Sequence, residues 1–184
     1  MATPPPPADA MLLRPARPAD AWPLAALKRD TFRETFVEGF AIPYPADELA
    51  LFEAAAYSPA AVAAELADPG TAQWVVEAAD GALMGYAKAG ACTLPHPDVA
   101  PGAAELKQLY LRDAAQGRGL GLALFDTAMA HLAAARPGPV WLGVWSGNFR
   151  AQTFYTDRGF APAGTYRFKV GRTWEDEEYI FRRG

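Results

Sequence analysis

Apolar residues recur along this chain with two different periods, and the change from one to the other predicts its elements. "MLLRPARP", residues 11–18, reads as a short first strand. "ADAWPLAALKRDTFRETFVEGF", residues 19–40, reads as one helix, because Leu24, Leu27, Phe32 and Phe36 fall in helical spacing before Gly39 and Pro43 stop the run. Two shorter helices are expected over 45–57 and 58–70, the second opened by Ser58 with Pro59 at its first position. "AQWVVEA" and "ALMGYAKAGA" form an expected hairpin, since Asp80 and Gly81 between them supply the positive φ angles of a tight turn. A loop over 94–102 leads to the strand "ELKQLYL", residues 105–111, and then to "QGRGLG", residues 116–121. After the glycines, Leu120, Leu124, Ala128 and Leu132 predict a helix reaching about Arg136. "PVWLGVW" is a strand, and "NFRAQTFYTDRGF" a helix with Asn148 as N-cap and Gly159 as its left-handed C-cap residue. "YRFKVG" and "EEYIFRR" close the chain as two strands. Hairpins mixed with helical crossovers argue for an α/β fold with a mixed sheet.

Composition adds bounds rather than detail. A chain of 184 residues that is 51% hydrophobic can build one substantial core, so a disordered proline-rich tail over residues 1–10 and a single domain over 11–184 are expected. No apolar run is expected to reach the roughly 18 residues that span a bilayer, and "MATPPPPADAM" has neither a basic start nor an apolar signal segment. The expectation is a cytoplasmic protein with no membrane partner. A net charge of −4 disfavours nucleic-acid binding and inclines towards cationic partners. Cys92 is the single cysteine, which allows neither an internal disulfide nor a cysteine metal cluster, and His96 and His131 are too isolated for a metal site. No metal is expected.

The glycine loop is where chemistry enters. A strand, a glycine turn and a helix start gather backbone N–H groups at the positive end of a helix dipole, a site suited to phosphate oxygens. A dinucleotide fingerprint fails because its last glycine would be Leu122, and no P-loop GK[ST] occurs. Taken alone, the loop serves a tight structural turn equally well. Gln116, Gly119 and Gly121, however, match the [RQ]xxGx[GA] pyrophosphate loop of the GCN5-related N-acetyltransferases, the GNAT superfamily, and "LGVWSGNFRAQTFYTDRGF" resembles that family's second signature. "TFRETF", "ELKQLYL", "LGVWSGN" and the C-terminal "YRFKVG" and "EEYIF" are also similar to the bacterial PaiA-type spermidine/spermine N-acetyltransferases.

The resemblance implies a GNAT fold, a mostly antiparallel sheet of six to seven strands splayed between strands 4 and 5 with helices on both faces. It implies acetyl-CoA as co-substrate and direct acetyl transfer to a primary amine of a small molecule, such as a polyamine. Residue by residue, it makes Glu105 the general base and Tyr155 the acid beside the coenzyme A sulfur. A bulge in "QLYL" would free the amide of Leu109 for the thioester carbonyl and let Leu111 pair with the pantetheine arm, with Tyr110 between them. Gln116, Gly117, Arg118, Gly119, Leu120, Gly121 and Leu122 would hold the pyrophosphate, and Asn148 would be a further cofactor contact. For the acceptor, Phe32, Phe36 and Trp145 form an apolar lining, while Glu34, Glu38 and the run Glu175, Asp176, Glu177 and Glu178 could attract a polycation. Each also has a plain structural reading as core or solvated surface. Oligomeric state is not readable, although relatives commonly pair through C-terminal strands into homodimers. A noncatalytic acyl-CoA-binding sensor and a general nucleotide-binding domain remain as rivals.

Overall fold

The structure, a computed structural model, describes residues 10–184, with the side chains of Glu175, Asp176 and Glu177 outside the described residues. The expected proline-rich tail therefore lies, Ala10 apart, outside them as well. Seven strands form one sheet in the order β1-β2-β3-β4-β5-β7-β6. Strands β1 (Met11–Pro15), β2 (Thr71–Ala78), β3 (Leu83–Ala91) and β4 (Ala104–Leu111) run as an antiparallel meander. β5 (Val140–Trp145) lies parallel to β4, and β7 (Thr173–Arg183) joins it antiparallel, with β6 (Ala161–Val170) outermost. The expected hairpin is present, but its connection is the four residues 79–82, in which Gly81 takes a positive φ of +87° and Asp80 does not.

Strand β2 carries the continuous run "QWVV" because both sheet faces are covered. Trp74 and Val76 pack with Leu124, Ala128 and Leu132 of α4 (Leu120–Ala135), while Val75 faces Leu24 and Leu27 of α1 (Ala21–Phe32) and Val62 of α3 (Pro59–Ala67). Helix α5 (Phe149–Thr156) adds Phe154 and Tyr155 to the α4 side. A third cluster joins Phe32, Phe36 and Val170 to Leu49 and Phe52 of α2 (Ala46–Ala56).

The long helix expected over 19–40 is instead three pieces. A 3₁₀ turn over Pro18–Asp20 precedes α1, and a π-helical turn over Arg33–Gly39 follows it. The Phe40 amide reaches back five residues to the Thr35 carbonyl at 3.0 Å, the mark of the wider turn. A Cβ on Gly39 would lie 2.9 Å from the Glu34 carbonyl oxygen, so the turn closes only over a bare backbone. A second difference concerns apolar length. By length and a mean hydropathy of 1.2, the stretch Ala46–Ala67 is long and apolar enough to cross a membrane, which runs against the expectation that no stretch is. It is divided between α2 and α3, where the Ser58 hydroxyl accepts from the Ala61 amide to start the second helix, and Glu48, Glu53 and Glu65 are ion-paired.

Strands β4 and β5 pair at two positions, Ala104 with Val140 and Glu105 with Trp141, and then part. The cause lies in β4. Gln108 pairs with Lys88 and Leu106 with Ala89, leaving Lys107 as an extra residue that bends the strand. The bulge thus sits at Lys107, two residues before Leu109. Across it, Leu106 and Leu109 share the α4 side although three residues apart, and Tyr110 stacks on Tyr86 on the other side.

Candidate active site

Where β4 and β5 part, they leave a cavity of about 160 Å³. Its walls include Leu106 to Tyr110 of β4, Gly143 to Trp145 of β5, Asn148 and Ala151 at the head of α5, and Tyr155 in its last turn. Phe32 and Phe36 reach it from α1 and the π turn, and Tyr57, Tyr166, Phe168 and Glu178 complete it. Of the residues singled out in the sequence, Leu109, Tyr110, Asn148, Tyr155, Phe32, Phe36 and Trp145 are brought together here. Phe32 and Phe36 are also buried core, so their two readings coincide.

The glycine loop lies beyond the end of β4. Gly117 and Gly119 adopt φ +75° and +77°, a conformation that costs an L-residue roughly 1–2 kcal/mol. Gly119 is the N-cap of α4, and no side chain caps that helix. The first amide the helix uses is that of Ala123, bonded to the Gly119 carbonyl at 3.0 Å. The amides of Leu120, Gly121 and Leu122 meet no protein acceptor among the described residues, the usual state of a helix start. At Gly121 a Cβ would touch Leu111 at 3.4 Å, an ordinary contact, so packing within the protein does not demand glycine there. The Gln116 amide donates to Asp113 at 3.0 Å and accepts from the Arg150 guanidinium at 2.8 Å, while Arg118 is exposed. These donors and cations fit a phosphate-bearing group. Arg150 was not foreseen, yet a cation in the first turn of α5 opposes the helix dipole, and that misfit was the available signal.

Tyr155 packs its ring against Phe154 and Phe160, and burial pushes its phenol well above the usual value, so it remains protonated. Asn148 caps α5, its side-chain oxygen accepting from the Ala151 amide at 3.0 Å. Glu105 departs from expectation. Its buried carboxylate accepts from the Thr93 amide at 2.8 Å and hydroxyl at 3.2 Å, and pairs with the Lys107 ammonium at 2.7 Å. It is Lys107, not Glu105, that lines the cavity.

The carboxylate that does line it is Glu178, on β7 opposite Trp145 and Tyr166. It is 7% exposed and accepts from the Tyr166 hydroxyl at 3.2 Å. Any side chain on Gly143 would collide with that hydroxyl, which is why β5 carries glycine there. Burial raises the Tyr110 phenol well above its usual value, and the nearby Tyr57, Glu178, Tyr155 and Tyr166 raise it further, so these polar groups converge. Glu34, by contrast, is drawn to Arg112 at 3.3 Å and to the Asp113 amide at 3.2 Å, away from any acceptor. Glu38 is exposed, and Glu175, Asp176 and Glu177 have side chains outside the described residues.

Residues 29–160 match the acetyltransferase (GNAT) family. The chain belongs to that family. An uncharacterised N-acetyltransferase of Lactobacillus delbrueckii subsp. lactis is 31% identical to this GNAT chain over 139 residues, covering 76% of it and 80% of the relative. Among solved structures, the PaiA N-acetyltransferase of Thermoplasma acidophilum in complex with coenzyme A superimposes with a TM-score of 0.73 at 18% identity, over 95% of this chain and 98% of that one. A GNAT phosphinothricin acetyltransferase of Sinorhizobium meliloti in complex with acetyl-CoA gives 0.65 at 22% identity, over 94% and 87%. These two likenesses establish the fold.

Proposed function

We propose that this GNAT enzyme transfers the acetyl group of acetyl-CoA directly to a primary amine of a small molecule, with polyamines among the candidate acceptors. The observation that carries the reading is the cavity at the parted strands, where the Leu109 segment, the Tyr155 phenol and the Glu178 carboxylate meet. The amides of the 117–122 loop, with Arg118 and Arg150, take the pyrophosphate of the donor. The opened edge of β4 around Leu109 to Leu111 receives the pantetheine arm as if it were a further strand, and the Leu109 amide polarises the thioester carbonyl.

The amine nitrogen attacks that carbonyl carbon; the C–N bond forms, the C–S bond breaks, nitrogen gives one proton to a base, and the sulfur leaves as a thiolate that takes its proton from solvent. Glu178 is the better-placed group for the first proton, since Glu105 reaches the cavity only through Lys107. Tyr155 donates its hydrogen bond to the departing sulfur. Because its phenol is a weaker acid than usual, it stabilises the thiolate chiefly by that bond, each unit of mismatch in a complete transfer costing about 1.4 kcal/mol. A sensor that merely bound acyl-CoA would need neither group.

Thiol release from acetyl-CoA over a panel of amines is the test. Wild type should turn over at least one amine, and Tyr155→Phe should lower kcat by about 10- to 100-fold with coenzyme A affinity unchanged. Tight coenzyme A binding without thiol release on any amine would replace the enzyme by the sensor.

A further inference from the structure

Strand β1 stops short of its partner. Pro15 pairs with Trp74, the Ala16 amide donates to the Gln73 carbonyl at 2.9 Å, and the first residues of β2, Thr71 and Ala72, lie beyond the reach of β1. Around this uncovered end, α3 supplies Glu65 and Leu66, α4 supplies His131, and between them is a second cavity of about 330 Å³. It stands apart from the cleft at the parted strands. Gln73 and Gln108, one on the wall of each, are separated by Lys88 in the same cross-strand row.

The polar chemistry of this second cavity is incomplete. Gln73 is 7% exposed, and its side-chain oxygen is buried with no hydrogen-bond partner among the described residues. Its amide nitrogen is turned towards the Glu65 carboxylate at 3.5 Å, which leaves the oxygen to the other side. Glu65 offers no free charge, because Lys28 holds one of its carboxylate oxygens and Lys88 the other, at 3.0 Å for Lys88. A charged guest would shed water beside an ionic group that is already balanced, so the missing partner is a hydrogen-bond donor rather than an ion. Trp74 and His131 meet edge to face at 5.2 Å and give the cavity an aromatic wall. A cavity of roughly 150 Å³ holds benzene, so one of about 330 Å³ has room for two fused rings.

We infer that this cavity is a second ligand site, separate from the acetyl-transfer cleft, for an uncharged, flat molecule of one or two rings that presents an N–H to the Gln73 side-chain oxygen and lies against Trp74 and His131. The site is independent of acetyl transfer and leaves the cleft free.

Calorimetric titration of the full chain with indole and with benzofuran, which has oxygen in place of the indole N–H, tests this. Indole is expected to bind at least tenfold more tightly than benzofuran, with its affinity unchanged by coenzyme A. Gln73→Leu keeps the size of the side chain but removes the acceptor, and should abolish the preference while the melting temperature is retained. Should Gln73→Leu not fold, Gln73→Met answers the same question. Proton NMR of the imidazoles gives the location, since the chain has two histidines. Indole should shift the ring signals of His131, assigned by their loss in His131→Ala, and leave those of His96 in place. No binding of indole, equal binding of benzofuran, a preference that survives loss of the Gln73 acceptor, unmoved His131 signals, or an indole affinity that coenzyme A abolishes each overturns the inference.

Discussion

The side of the cleft bounded by α4 and α5 presents main-chain amides, whereas the side bounded by the π turn and the β6–β7 pair presents aromatic rings and the Glu178 carboxylate. An amide surface can be exposed only where side chains are removed, so it leaves glycines close together in sequence, as at Gly117 and Gly119. A side-chain surface leaves no such mark. Its parts come from Phe32 at one end of the chain and Glu178 at the other, and they meet only once the sheet has formed. The two sides should therefore fail separately when altered.

The largest effect is expected on the amide side. Gly119→Val forces a β-branched residue to φ +77° at the uncapped start of α4 and should lower coenzyme A affinity about 100-fold by calorimetry, with far-ultraviolet dichroism retained. On the other side, Gly39→Ala drives a methyl into the Glu34 carbonyl and should raise the amine KM about tenfold while coenzyme A affinity stays within twofold. Were Gly39→Ala to damage coenzyme A binding as much, the separation would be lost, and the bridge from Arg112, just beyond β4, to Asp30 and Glu34 would be the route.

A third test concerns what lies under the acceptor side. Lys28 of α1 is fully buried beside Glu65 and Tyr86, and burial lowers its pKa to about 8. Its unfolded value is about 10.4, so between these limits the unfolded chain holds the proton more firmly and stability rises with pH, by at most about 1.4 kcal/mol per unit. Below pH 8 both states are charged and the burial cost is complete. The Tm of wild type relative to Lys28→Met should accordingly climb from pH 8 to 10; a flat difference would mean that Lys28 titrates alike folded and unfolded. The smallest effect is expected from Glu105→Gln, below threefold in turnover, because its carboxylate is bound to Thr93 and Lys107. A hundredfold loss there would return the base role to Glu105.

Much of the fold was legible because local chemistry agrees with it. Asp80-Gly81 makes the hairpin turn, Asn148 caps α5, and the glycines start α4. The π turn was not legible, because Phe32 and Phe36 satisfy ordinary helical spacing and the wider turn is set by contacts with α2 and β6. The bulge falls at Lys107 for a similar reason: nothing in "ELKQLYL" marks which residue β3 will leave unpaired. Glu178 was hidden by its neighbours. Four consecutive acids read as solvated surface, while pairing of β7 with Trp145 and Tyr166 turns this one inward. Glu105 misled in the opposite direction, since its spacing from the loop says nothing about the lysine two residues away that claims it.

The two-pair seam between β4 and β5 has a consequence for selectivity by shape. Unzipped strand margins on the outside of a sheet invite any passing chain. Here the two margins confront each other across a cavity of about 160 Å³, a gap whose size favours a slender, extended guest over a whole further strand.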